Sequence, residues 1–134
     1  MRKVLNIFFF TLLITLSAAC NDDNCRLENK WQLREYVHTN GIVQREDSVF
    51  YNFMDGSFSA ICVLPDGKFE TYFGNYVYQG DDISITLLPE YTSKIAYNRY
   101  LGWDNGSRKF QVEKLSSTAL QLNYNGEKSI FRKY

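Results

Sequence analysis

From Lys30 onward the chain is a succession of short runs that alternate apolar and polar side chains, each run ended by a turn signal. Alternation with period two is the mark of a strand with one face buried. The run from Lys30 to His38 opens with Trp31 and Leu33 on one face and Gln32 and Arg34 on the other. Runs over 48–54, 57–64 and 68–78 follow, separated by Asp55-Gly56 and Pro65-Asp66-Gly67. Gly74 lies inside the third of these and predicts a bend or bulge. Gln79-Gly80-Asp81 introduces a run over 82–88, in which Ile83, Ile85 and Leu87 oppose Ser84 and Thr86 until Pro89 stops the pattern. The last three runs cover 108–114, 119–124 and 127–134, the final pair joined by Asn125-Gly126. Asn-Gly accepts the positive φ that a type I′ hairpin turn needs at both positions.

Eight strands joined mostly by tight turns must pair antiparallel. The fold class is therefore all-β, with a sandwich and a closed barrel as the economical architectures. Closure removes exposed edges, and eight strands enclose a space that side chains fill or that holds one small ligand. Aromatic residues are 16% of the chain and prolines number only 2, which suits packed strands. The interval 90–106 lacks period two and predicts a short helix or a long loop. Its Tyr91, Tyr97, Tyr100 and Trp103 form a contact surface or lid if exposed, and plug the barrel end if not.

The N-terminal segment has its own pattern. Met1-Arg2-Lys3 is positive, and 4–19 is uncharged and strongly apolar. That is the secretory arrangement, too short for a comfortable membrane span of ~20 residues. Leu16-Ser17-Ala18-Ala19-Cys20 resembles the lipobox of bacterial lipoproteins, with Leu16 one position further from the cysteine than usual. The resemblance implies cleavage before Cys20 and acylation of that cysteine; an ordinary signal peptide is the alternative. Each buried methylene contributes ~0.8 kcal/mol, so two or three acyl chains anchor a protein firmly. The expected organisation is a leader over 1–19, an acidic tether over 20–28 and one folded domain over 29–134. Asn21-Asp22-Asp23-Asn24 resembles the surface-export signal of Bacteroidetes lipoproteins, which implies the outer membrane and an outward face. A plain tether on the periplasmic side is the other reading. Removing Arg2 and Lys3 with the leader leaves 13 basic against 15 acidic residues, a net charge of −2. No broad electrostatic claim on nucleic acid follows from that balance.

Lys30-Trp31-Gln32-Leu33 on the first strand, the antiparallel meander, Leu120-Gln121-Leu122 and Phe131-Arg132-Lys133 together resemble the small lipocalin-like lipoproteins of Bacteroidetes. The resemblance implies an eight-stranded up-and-down barrel. It also implies a Trp31–Arg132 pair, the arginine stacking on the tryptophan to close the barrel base. The family's glycine two positions before the tryptophan is replaced by Asn29. The implied role is a non-enzymatic binding module for a small apolar ligand. Inward members of Phe69, Phe73, Tyr76 and Tyr78 are the candidate pocket lining. A filled core, with an envelope protein as partner, is the alternative.

Little else points to chemistry. His38 is the only histidine, with no nucleophile motif to serve. Neither a metal cluster nor a cofactor motif is present, so no cofactor is expected. With Cys20 assigned to lipid, Cys25 and Cys62 are either a disulfide or two buried thiols. Asp47-Ser48-Val49 fits the tripeptide on which Bacteroidetes O-glycosylate exported proteins, making Ser48 a candidate acceptor. Asn105-Gly106-Ser107 fits a glycosylation sequon but is already explained as a turn. The lipobox reading has a direct test: Cys20→Ser releases the protein from the membrane fraction while circular dichroism stays unchanged. Tight membrane association of that variant contradicts it.

Overall fold

The computed structural model describes residues 26–88 and 94–134. Nine strands and one helix lie wholly within them: β1 (Lys30–Val37), β2 (Val43–Arg45), β3 (Val49–Met54), β4 (Ser57–Val63), β5 (Phe69–Gln79), β6 (Asp82–Leu87), α1 (Lys94–Leu101), β7 (Ser107–Leu115), β8 (Ala119–Tyr124) and β9 (Glu127–Lys133). Every neighbouring pair from β3 to β9 is antiparallel and sequential. β1 pairs with both β3 and β9, which closes the sheet into an eight-stranded barrel.

β2 is the additional strand, missed by the sequence reading. Its three residues are all exposed, so there is no alternation to see. It pairs only with the second half of β1, at Glu35–Val37, while β3 takes the first half, at Lys30–Gln32. β1 and β3 therefore part company halfway up the barrel.

The turns follow their chemistry. Asp55 and Gly56 have φ of 47° and 80°, and Asn125 and Gly126 have 52° and 87°. Both pairs are two-residue loops between directly opposed residues, Met54↔Ser57 and Tyr124↔Glu127. Positive φ at both central positions matches the turn's twist to that of the strands.

Alternation carries the core. Trp31, Phe53, Phe58, Ile83, Ile85, Phe110, Leu120, Leu122 and Phe131 are all buried, each on the inward parity of its strand. The interior is densely aromatic. Tyr51 alone meets Phe58, Trp103 and Phe131 with ring centroids 4.9–6.3 Å apart. Such edge and tilted contacts add ~0.5–1.5 kcal/mol per pair beyond area burial.

Gly74 makes neither bend nor bulge. It pairs regularly, with Phe58 on one side and Leu87 on the other. Its role is close approach: a Cβ there would collide with the Thr86 carbonyl oxygen and lie 2.9 Å from Leu87 Cα. Both obstacles are backbone and cannot swing aside. Gly74→Ala is expected to lower the unfolding free energy by about 1–3 kcal/mol, the range for overpacking. Urea denaturation at unchanged m-value measures it.

Candidate functional site

An irregularity in β1 builds the site. Leu33 opposes Phe131 and Glu35 opposes Ile130, so Arg34 is an extra residue, a bulge. Before it, Trp31 and Leu33 face inward. After it the inward parity passes to Tyr36, opposite Ser129 on β9. A bulge of one residue exchanges the two faces of a strand. The Tyr36 hydroxyl donates to the Glu127 carboxylate at the far end of β9. Burial raises the Tyr36 phenol well above its ordinary pKa and the bond to Glu127 raises it further, against the pull of the nearby Arg108 charge.

The opposite wall comes from α1 and the loop after it. α1 ends at Gly102, whose φ is 71° and whose N–H donates to the Asn98 carbonyl at 3.0 Å. Glycine relieves the left-handed strain of that cap. Asn98 Nδ2 then donates to the Trp103 carbonyl at 3.0 Å, turning the chain down into the barrel. Trp103 is fully buried and stacks on Phe58 at 6.2 Å. Its Nε1–H donates to Tyr51 Oη at 3.1 Å. Burial pushes the Tyr51 phenol up to about 12, partly offset by the Trp103 bond.

Arg108, on β7, completes the site. Its side chain is only 8% exposed, and its guanidinium lies 3.9 Å from the Tyr124 ring centroid, 5.2 Å from Trp103 and 5.8 Å from Phe110. Nη2 donates to the Gly102 carbonyl at 3.3 Å and to Asp104 Oδ1 at 3.0 Å. Above these groups, where β1 and β3 diverge, is a cavity of about 430 Å³. Leu33, Val49 and Tyr100 form apolar parts of its wall; Tyr36, Arg108 and Glu127 supply polar ones. A second depression of about 380 Å³ lies among Arg34, Glu35, Arg45, Glu46 and Asp47. All five of its residues are charged, with both signs mixed, and three of them, Arg34, Arg45 and Asp47, are exposed. It lacks the apolar wall of a ligand site.

The sequence-derived candidates are distributed as follows. Phe69 and Phe73 are 67% and 50% exposed on the outer face of β5, so they do not line a pocket. Tyr72 and Tyr76 hold the inward parity and are buried, with Tyr78 packed against the core. The aromatic run on β5 therefore divides between two faces, which period two requires of odd and even positions. Trp31 is fully buried and its Nε1–H donates to the Leu27 carbonyl at 2.9 Å. Arg132 is in register with Gln32, on the opposite sheet face from Trp31, and its Nε donates to Gln32 Oε1 at 2.8 Å. The expected Trp31–Arg132 stack is thus corrected: the arginine that meets tryptophan here is Arg108, on Trp103, at the other end of the barrel.

Trp103 and Tyr97 are buried and fill the barrel end, so of the two readings of this interval they take the plug rather than the exposed contact surface. Tyr100 is half-buried and faces the cavity. His38 pairs with Gln44 Oε1 at 3.2 Å at the cavity rim. The Ser48 hydroxyl donates to Glu46 Oε1 at 2.6 Å. Cys62 is a buried free thiol 3.6 Å from the Tyr100 carbonyl. Cys20, Cys25 and Tyr91 lie outside the described residues, as do the leader and most of the tether. Among the described residues no three His, Cys, Asp or Glu side chains are grouped to hold a metal, and no helix is long and apolar enough to cross a membrane.

Arg108 was missed as a site residue although a signal existed. It shares the parity of Phe110 and Val112, so a charge stands at the head of a buried face. Glu127 and Ser129 share the parity of Phe131 in the same way. Tyr36 carried no such signal, because its inward direction depends on the bulge.

A closed antiparallel barrel, plugged by a helix–loop segment and open to a cavity at one end, defines a lipocalin-like protein. The family model described as a lipocalin-like domain matches residues 12–134, and the chain belongs to that family. A lipocalin-like protein from Bacteroides uniformis is similar at 53% identity and a TM-score of 0.77, over 81% of this chain and 99% of its own. An uncharacterized protein from Bacteroides eggerthii is similar at 42% identity and a TM-score of 0.72, over 79% of this chain and 98% of its own. No curated protein matches.

Burial first, then the charges of Glu46 and Glu70, push the Cys62 pKa up to about 12. A raised thiol pKa means less thiolate, the reactive form, at any pH below it. Iodoacetamide at pH 8 is expected to leave Cys62 unmodified in the folded protein and to alkylate it in denaturant. Peptide mass spectrometry reads both states; rapid alkylation of the folded form contradicts the buried placement.

Proposed function

We propose that this protein is a non-enzymatic binding module of the outer membrane, tethered through lipid on Cys20, that takes up a small ligand at the barrel mouth. The observation that carries the reading is the cavity of about 430 Å³ between β1, β3 and α1. Its size falls in the range of small-molecule sites, and its mixture of apolar wall and few convergent polar groups is theirs too. The lower barrel is filled by Trp31, Phe53, Phe58, Phe110 and Phe131, so the ligand sits above this packing rather than deep inside. Leu33, Val49 and Tyr100 suit an apolar ligand body. The leader and lipobox pattern supports the anchor, and the acidic residues after Cys20 support export to the cell surface.

A second reading, a structural or protein-interaction module of the envelope, draws on a different face. Val63 and Phe69 are directly opposed on the outer surface of β4 and β5, and Phe73 and Val77 continue that face. All four are exposed hydrophobics. An apolar outer stripe of this kind suits a protein contact.

The two readings separate by native mass spectrometry of protein extracted gently from its own membranes. The binding reading expects a small-molecule adduct that is lost from a Leu33→Trp variant, in which the larger side chain blocks the cavity. An unliganded mass from several independent preparations, with a stable protein complex instead, favours the interaction reading.

A further inference from the structure

We infer that the ligand of the mouth cavity carries a single negative charge, a carboxylate, and that Arg108 is the residue that receives it. The inference rests on the binding reading above and adds the chemical class of the ligand.

An arginine has five N–H donors and no acceptor. Fastening the loop after α1 uses only Nη2, through Gly102 and Asp104. Nε is buried without an acceptor among the described residues. A charged group with an unsatisfied buried donor is costly to keep in a core. A neutral side chain would hold the loop with less desolvation. What the arginine adds is a positive charge at the floor of a cavity, with donor capacity unspent.

The charge is also fixed in place. Tyr124, Trp103 and Phe110 surround the guanidinium within 5.8 Å of its centre. Cation–π attraction holds it there and limits the conformations it must give up on binding. A pre-set guanidinium in a site largely shielded from water pairs with a carboxylate more strongly than an exposed one does. The Ser129 side chain, buried on β9, lines the same cavity and offers a neutral hydroxyl donor.

The remaining charges select a monoanion. Arg99 and Arg108 line the cavity together with Glu46 and Glu127, and Asp104 already pairs with Arg108. Three carboxylates against two guanidinium groups leave that set with one net negative charge, so a single further negative charge is accommodated only at Arg108 itself, whose donors are not all spent. A dianion such as a phosphate monoester meets three carboxylates against two guanidinium groups and is disfavoured. The apolar wall at Leu33, Val49 and Tyr100 then takes the uncharged body, so the expected ligand is a small amphipathic acid.

The test compares acids with their neutral amides on the full mature chain by isothermal titration calorimetry. Two matched pairs serve as probes: indole-3-acetate with indole-3-acetamide, and octanoate with octanamide. In at least one pair the acid is expected to bind about tenfold more tightly or better, a difference of about 1.4 kcal/mol. Indoxyl phosphate is expected to bind more weakly than indole-3-acetate. Arg108→Gln is expected to abolish the preference for acid over amide. Asp104→Asn removes a competing, 69% exposed carboxylate and is expected to tighten acid binding several-fold, which keeps the test decisive if Arg108→Gln does not fold. Equal binding of acid and amide by the native protein, tighter binding of indoxyl phosphate than of indole-3-acetate, a preference that survives Arg108→Gln, or an unchanged acid affinity in Asp104→Asn overturns the inference and leaves the binding reading standing. Failure of every probe, acid and amide alike, removes both.

Discussion

The hydrogen bond from Trp103 to Tyr51 is the contact on which the upper half of the molecule depends. A helix laid across a barrel end is held only as firmly as whatever it inserts. Here the insertion is one indole, fully buried, stacked on Phe58 and bonded to a phenol deep in β3. The bond removes a penalty, because an indole N–H buried without an acceptor costs about 1–3 kcal/mol. With Trp103 seated, the preceding glycine cap and the Asn98 bond fix the end of α1. Arg108 then finds the Gly102 carbonyl and Asp104 in place, and Tyr100 is set against the cavity.

The barrel is therefore two environments stacked end on end. Below Trp103 the interior is aromatic and aliphatic, with side chains filling it. Above Trp103 the inward positions turn polar: Tyr36, Arg108, Glu127 and Ser129 replace the Trp, Leu, Phe and Val found lower on the same strands. The lower layer supplies most of the burial that holds the fold, and the upper layer departs from it. Polar residues on an otherwise buried face lower stability, and such departures from local consistency are expected where a chain has a task besides folding.

Much of this was legible in the sequence because each strand carries its instruction locally. Asn125-Gly126 and Asp55-Gly56 specify their turns through φ alone, and Ile83-Ile85-Leu87 declares a buried face without reference to its neighbours. The antiparallel all-β meander follows from such signals, whereas the closed barrel is what the family resemblance implies and the pairing of β1 with β9 shows. What escaped is non-local. β2 has no buried face, so nothing in Val43-Gln44-Arg45 marks it as paired. The inward turn of Tyr36 is decided by register against β9, a strand nearly the whole domain away in sequence. Trp31 and Arg132 were matched by letter, yet strand parity sends them to opposite faces. Phe69 and Phe73 were grouped with Tyr76 and Tyr78 by aromatic content, although odd and even positions of one strand cannot share a wall. Parity along β5 and β7 separates the two pairs of aromatics and sets Arg108 on the buried face.

The extra residue at Arg34 gives β1 a property its neighbours lack. Before it, the inward positions Trp31 and Leu33 are apolar; after it, the inward position is the polar Tyr36 of the cavity, and the change of face occurs within a single residue. The chemistry of the mouth is thereby uncoupled from that of the core. Length variation at this one point, rather than replacement of wall residues, suffices to exchange Tyr36 for its sequence neighbours as the group presented to the interior. On a barrel of this kind, gain or loss of one residue in the first strand is thus a route by which the lining of the mouth can change in a single evolutionary step while the hydrophobic layer beneath stays the same.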